Sequence, residues 1–166
     1  MHFTFTPMTE ADARAIQSWH YEEPYTIYNM HGDEEPDAFA EMLDRRSPFY
    51  AVRDEQNMLV GFYNYGTSAH VDGDMQPGLF VEDRMVTIGL GLRPDVTGHG
   101  LGLAFVNAGL DFAREAFAPK RFRLYVFVWN ERAIRVYERA GFQRIGPYVV
   151  HHPEGERVFI EMQCAA

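Results

Sequence analysis

Polar and apolar residues alternate at the start of the chain, where threonines separate Phe3 and Phe5 in "HFTFT", the period-two mark of a strand. Thr9, with Asp12 three residues on, caps a helix expected from Glu10 to about His20. Periodicity then fails across "HYEEPYTIYNMHGDEEP", interrupted by Pro24, Gly32 and Pro36, yet this loop carries Tyr21, Tyr25 and Tyr28 beside Trp19 and His20. That is aromatic for a mere connector. A short helix from Asp37 to Arg46 leads into "PFYAVRD" and "MLVGFYNYG", two β-rich runs around the polar turn "EQN", which read as a hairpin.

Beyond the loop "VDGDMQPG", the run "RMVTIGLGL" is the next strand, and Gly89 and Gly91 inside it signal a bulge or a close backbone approach. Pro94 ends it. From His99 to Phe117 an apolar stripe of Leu101, Phe105, Ala108 and Phe112, widened by Val106, Leu110, Ala113 and Phe117, predicts a helix lying against a sheet. "RFRLYVFV" is a further strand, Asn130 an N-cap, and "ERAIRVYERA" a helix stopped by Gly141 at C′. "GFQRIGPYVV" and "RVFIEMQ" close the chain as strands around "HPEGE". The predicted order is β-α-α-β-β-β-α-β-α-β-β, an α+β single domain over residues 1–166 with one parallel crossover around the helix at 99–117.

The 166 residues are 46% hydrophobic, enough for a sizeable core. A net charge of −9 argues against general affinity for nucleic acid or an anionic membrane and favours a cationic or amine-bearing substrate. One cysteine, Cys164, excludes an internal disulfide and fits a reducing compartment. The N-terminus shows no basic and then apolar leader, and no run reaches the roughly 18 apolar residues of a membrane span. The expectation is a soluble, cytoplasmic protein. His151 and His152 pair in a polar turn without further ligands at zinc spacing, so no metal is expected.

The chemistry concentrates in "RPDVTGHGLGLAF", which sets Gly98, Gly100 and Gly102 at alternate positions between a strand and a helix. Free N–H groups and the helix dipole make such a turn an anion site, with phosphate its natural guest. A P-loop is excluded because no Gly-Lys dipeptide occurs, and the dinucleotide fingerprint fits poorly because Leu103 stands where its third glycine belongs. Tight strand-to-helix packing alone would also account for glycines here.

With "TIGLGLRPD" followed by "TGHGLG", and with "NERAIRVYERAGF" about 30 residues later, the chain resembles the GNAT superfamily of acetyl-CoA-dependent N-acetyltransferases. The first block is similar to the family's Gln/Arg-x-x-Gly-x-Gly/Ala turn around the CoA pyrophosphate, with Thr97 at the position of the long polar residue. The second is similar to its Asn-x-x-Ala-x-x-x-Tyr-x-x-x-Gly-Phe signature. The resemblance implies a mixed central sheet of about seven strands flanked by about four helices. It implies binding of acetyl-CoA through the main chain of Leu90, Gly91 and Leu92, through the turn Thr97, Gly98, His99, Gly100, Leu101 and Gly102, and through Asn130. It assigns Tyr137 as the proton donor to the departing thiolate. Residue patterning alone would read Tyr137 as an amphipathic core residue beside Ala133 and Ile134.

Two strand positions from which some relatives supply a catalytic glutamate fall on Val86 and Tyr125, so a water relay or a loop carboxylate such as Glu22, Glu23 or Glu82 must serve as base. The aromatic loop lies where the resemblance places the acceptor, giving Trp19, Tyr25 and Tyr28, with Glu22 and Glu23, the task of holding an amine of a small molecule or a peptide N-terminus. A homodimer is compatible with this reading. Two rivals stay open: a non-catalytic acyl-CoA-binding sensor, motivated by the missing glutamates, and a nucleotide-phosphate binding module resting on the glycine turn alone.

Overall fold

The computed structural model describes residues 1–30, 36–73 and 75–166, so Gly32, one of the expected breaks in the aromatic loop, lies outside the described residues. The elements follow the expected order. They are β1 (Thr4–Pro7), α1 (Glu10–Gln17), α2 (Pro36–Met42), β2 (Phe49–Arg53), β3 (Leu59–Tyr65), β4 (Met85–Leu92), α3 (Gly102–Phe117), β5 (Arg121–Phe127), α4 (Glu131–Arg139), β6 (Gln143–His152) and β7 (Gly155–Ala165). The strands form one seven-stranded sheet in the order β1-β2-β3-β4-β5-β7-β6. Only β4 and β5 pair in parallel, joined by the crossover through α3.

Helix boundaries differ from the sequence reading in ways local chemistry explains. Thr9 does cap α1, its hydroxyl accepting the Asp12 N–H at 3.2 Å. The helix stops at Gln17 instead of His20, where the Ser18 hydroxyl donates to Ala15 O at 2.6 Å and closes the last turn. The helix α2 ends at Met42 instead of Arg46 because Asp44 takes the Arg46 N–H at 3.0 Å and so builds a separate turn. The helix α3 begins at Gly102, three residues later than His99, because Gly98 and Gly100 adopt φ of +77° and +79°, outside the helical range.

Side chains sort by strand parity onto two faces. On one face, Val86, Ile88, Phe122 and Leu124 bury against Phe105, Val106, Leu110 and Ala113 of α3. Tyr63 and Tyr65 of β3 reach up to the same helix, donating to Phe105 O at 3.1 Å and to Gly109 O at 2.8 Å. On the other face α1 and α2 cover the first three strands through Ala13, Ile16, Met42 and Phe49. The glycines inside β4 mark a close approach and not a bulge. A Cβ at Gly89 would collide with the Asn64 side chain, and one at Gly91 with the Phe62 ring.

The contact that seats α3 is sensitive in the same way, since a Cβ at Gly109 would enter the Tyr63 ring. Tyr63 is fully buried between Tyr65 and Phe105, with its hydroxyl bonded to Phe105 O. Gly109→Ala gains about 1 kcal/mol of helix propensity, but overpacking costs about 1–3 kcal/mol, so the clash decides the sign. Urea unfolding should show a net loss of stability. A gain would mean that Tyr63 can move.

Candidate functional site

The strands β4 and β5 pair only through Met85, Val86 and Thr87 against Arg121, Phe122 and Arg123, and then part, although β4 runs to Leu92 and β5 to Phe127. Two bonds to the β3 side fix the phase of β4: Gly66 N–H donates to Thr87 O, and Arg93 N–H to Val60 O. Odd-numbered residues of β4 therefore bond to β3, and the main-chain groups of Ile88, Leu90 and Leu92 point into the gap. Gly91 directs its own toward β3. The gap opens into a cleft of about 720 Å³.

At one end of this cleft stands the glycine turn. Gly98 and Gly100 need their left-handed backbone, which costs other residues roughly 1–2 kcal/mol. The Thr97 hydroxyl is committed to Pro94 O at 2.7 Å, and α3 has no side-chain cap, so the N–H groups of its first turn are left for a guest. Thr97, Gly98, Gly100 and Gly102 line the cleft; His99 and Leu101 do not.

Tyr137 reaches the cleft from α4. Its ring packs edge-on to Phe142, and burial, helped by nearby Tyr28, raises its pKa well above the ordinary phenol value. Asn130 caps α4 by accepting the Ala133 N–H at 3.3 Å, and its amide donates to the Tyr28 hydroxyl at 2.9 Å. The aromatic loop is thus tied to the α4 cap. It is tied to β4 as well, because the Tyr21 hydroxyl donates to Leu92 O at 2.7 Å, a bond that leaves this phenol in a site where burial pushes its pKa up to about 12.

Trp19, Tyr25 and Tyr28 all line the cleft. Trp19 also packs on Phe62 at 6.4 Å, within the core under α1 and α2, and so has a structural share in the fold. Tyr25 and Tyr28 form a wall with Trp129 and Phe127 at 5.9 and 6.0 Å. The loop carboxylates stay outside. Glu22 and Glu23 are exposed, Glu23 accepting the Thr26 hydroxyl at 3.1 Å, and Glu82 is exposed in the turn before β4. None of the three lines the cleft. Val86 is fully buried, and burial pushes Tyr125 up to about 12, so neither position offers a base.

The floor was missed in the sequence. It consists of Tyr125 and Phe127 of β5 with Phe159 and Arg157 of β7, all projecting on the face opposite α3, beyond the strands that α1 and α2 cover. The alternation in "RFRLYVF" carried the signal, since it sets Arg123, Tyr125 and Phe127 on the face opposite Phe122 and Leu124. Beneath Tyr125 lies a second unforeseen feature. His70 Nε2 faces an Arg123 guanidinium nitrogen, which can only donate, so Nδ1 carries the ring proton and faces Asp72 at 3.5 Å. Asp72 in turn accepts from the Tyr148 hydroxyl. Arg123 also donates to the Thr87 hydroxyl at 3.2 Å and stands 4.0 Å from Glu161.

Comparison with known proteins agrees with this geometry. The profile of the acetyltransferase (GNAT) family matches residues 13–142. Mycothiol acetyltransferase of Propionibacterium freudenreichii is 37% identical over 102 residues, a match spanning 61% of this chain and 30% of that protein. Spermine/spermidine N(1)-acetyltransferase of Bacillus subtilis is 33% identical over 103 residues, 62% of each chain. The chain therefore spans less than two-thirds of either relative. Among solved structures, a chimera of the Vibrio cholerae spermidine N-acetyltransferase SpeG with hSSAT superposes with a TM-score of 0.77 at 19% identity, covering 99% of this chain and 96% of that one. The Vibrio cholerae enzyme in complex with CoA and spermine gives 0.69 at 20%, covering 98% and 95%.

His70 provides a test of the second feature by pH. Burial lowers its pKa, the Arg123 charge lowers it further, and Asp72 and Glu161 oppose them. An imidazole depressed in the folded state contributes stability above the ordinary pKa of about 6.5, and this is lost as the pH falls through that value and the unfolded chain gains the proton. Between pH 7 and pH 5 the native chain should lose more unfolding free energy in urea than His70→Asn does. Equal losses would show that His70 accepts its proton freely in the fold.

Proposed function

The chain belongs to the acetyltransferase (GNAT) family, and we propose that it transfers an acetyl group from acetyl-CoA directly to a primary amine of a small molecule. One observation carries this reading: the gap between β4 and β5 joins an uncapped helix N-terminus at one end to a proton-bearing phenol, Tyr137, along its side. Acetyl-CoA would supply the acetyl group as an activated thioester. The first turn of α3, preceded by Gly98 and Gly100, suits the pyrophosphate oxygens, and the outward main-chain groups of Leu90, with the N–H of Leu92, suit the pantetheine amides as an added strand, the Leu92 carbonyl being held by Tyr21. Gly91 contributes by lacking a side chain, not by its main-chain bonds.

The chain's own groups then define the proton traffic. With its pKa raised, Tyr137 keeps its hydroxyl proton at neutral pH and can give it to the departing sulfur. No histidine or carboxylate lines the cleft among the described residues, so the amine must enter neutral or lose its proton to water, and the proton it sheds as the C–N bond forms passes through water to restore the Tyr137 hydroxyl. At subsaturating amine the rate should therefore climb with pH toward the acceptor's own pKa. A sensor that binds acyl-CoA without turnover would not require a protonated phenol at this place, which favours the enzyme.

Tyr137→Phe should leave CoA binding intact while turnover falls about 10²- to 10⁴-fold, the usual range for a lost general acid. Release of free CoA in the presence of an amine panel measures it, and equal rates would remove Tyr137 from the reaction. Gly100→Val puts a β-branched side chain at φ +79°, where no atom lies within 4 Å of the added Cβ, so the change adds bulk to a turn residue that lines the cleft without a clash inside the chain. Calorimetry should show CoA affinity weakened at least tenfold, about 1.4 kcal/mol. Unchanged affinity would mean that the turn faces something other than phosphate.

A further inference from the structure

We infer, on the basis of the acetyltransferase reading, that the acceptor is an amine carried on an apolar or aromatic body that also bears a carboxylate, and that Arg157 receives this carboxylate. Among the described residues the only charged side chains lining the cleft are Arg132 and Arg157. Arg132 lies on α4 over the Tyr25 ring at 4.2 Å and is thereby engaged in holding the aromatic loop. Arg157 is different. It sits half-buried on β7 opposite Val150 and is engaged in no side-chain hydrogen bond or ion pair with another described residue.

Two carboxylates beside Tyr125 are already taken. Glu161 accepts the Gln163 amide at 2.7 Å and faces Arg123 at 4.0 Å, while Asp72 is held by the Tyr148 hydroxyl and faces His70 at 3.5 Å. A polyamine carries a positive charge on each nitrogen at neutral pH and would here meet an unpaired guanidinium, with no carboxylate lining the cleft among the described residues to offset it. A carboxylate meets the reverse situation. Guanidinium and carboxylate match in charge and can form two parallel bonds, stronger than neutral hydrogen bonds.

The rings beside Arg157 define the rest of the ligand. Phe127 and Phe159 stack at 4.3 Å across β5 and β7, and Tyr125 packs at 4.8 Å on Tyr148, giving a flat apolar floor. Tyr28 stands over it from the loop, 6.0 Å from Phe127. Arg157 and Phe159 are alternate residues on one face of β7, and β7 lies on the far side of β5 from β4 and its glycine turn. A ligand whose carboxylate is held at Arg157 thus rests its apolar body on the rings and turns its amine to the side of the gap, leaving the α3 end to the phosphates.

The test uses the whole chain, acetyl-CoA at saturation, and phenylalanine, leucine, their amides, phenylethylamine and spermidine as acceptors, with CoA release as readout and CoA binding measured separately. The free amino acids should exceed their amides by about tenfold or more in kcat/KM, the scale of one lost charge-assisted contact, and should exceed spermidine. Arg157→Gln should abolish that preference with the KM for acetyl-CoA unchanged, and Arg157→Lys should keep part of it. The inference is overturned if spermidine is the better acceptor, if acids and amides react equally, if Arg157→Gln keeps the preference, or if CoA binds and no acceptor reacts. Absence of CoA binding would instead sink the acetyltransferase reading itself.

Discussion

A strand that leaves its neighbour must find other partners for its main-chain groups, and β4 leaves β5 after three paired residues. Each buried group left unpaired costs about 1–3 kcal/mol. Leu92 O finds the Tyr21 hydroxyl, which draws the aromatic loop across the mouth of the gap. Leu90 keeps its outward groups for a guest that itself carries amides. The parting of the strands therefore explains at once why a cleft exists, why an extended ligand fits it, and why a tyrosine-rich loop lies beside it.

The same parting separates two approaches. Helices α3 and α4 cover one face of the sheet and bring the glycine turn and Tyr137. The opposite face carries the ring floor over β5 and β7, which no helix covers. On the proposed reading, a donor held along the first and an acceptor held along the second would meet only through the gap, which is the requirement of direct transfer between two bound reactants. Asn130 connects the two sides, capping α4 with its carbonyl and holding Tyr28 with its amide. That second bond makes α4 and the loop a single unit. A change in either is felt by both reactants.

Much of this was legible in the sequence because it depends on local rules. Strand alternation, the Thr9 and Asn130 caps and the apolar stripe of α3 are read within a few residues, and the structure keeps all of them. The glycine turn before α3 was legible as an anion site, but its left-handed backbone at Gly98 and Gly100 was not, and α3 starts three residues later than the stripe suggests because a stripe does not reveal where φ turns positive. The close approach at Gly89 and Gly91 was foreseen, but not that Asn64 and Phe62 cause it. What escaped the sequence was long-range. His70 and Arg123 are 53 residues apart, and no periodicity joins them. Likewise Arg157 reads as a charge beside a turn until β7 is known to pair with β5 and to bring it onto a floor of rings.

Net charge illustrates the distinction most sharply. A value of −9 favours attraction of cations toward the molecule as a whole, and from composition alone it pointed to a cationic substrate. That field is set mostly by exposed carboxylates such as Glu22, Glu23, Glu82, Glu131 and Glu154, and it is screened over about 8 Å at physiological salt. Inside the cleft the sign is reversed, because among the described residues the lining charges are Arg132 and Arg157. An amine that also carries a carboxylate has no net charge and is neither drawn to the acidic exterior nor repelled by it. It gains its interaction energy only on reaching Arg157, where the guanidinium is partly shielded and the attraction is less screened than at the surface. Selection is then exercised at the site of reaction and not by the outer surface, and a polycation attracted to that surface would still lack a carboxylate to meet it within.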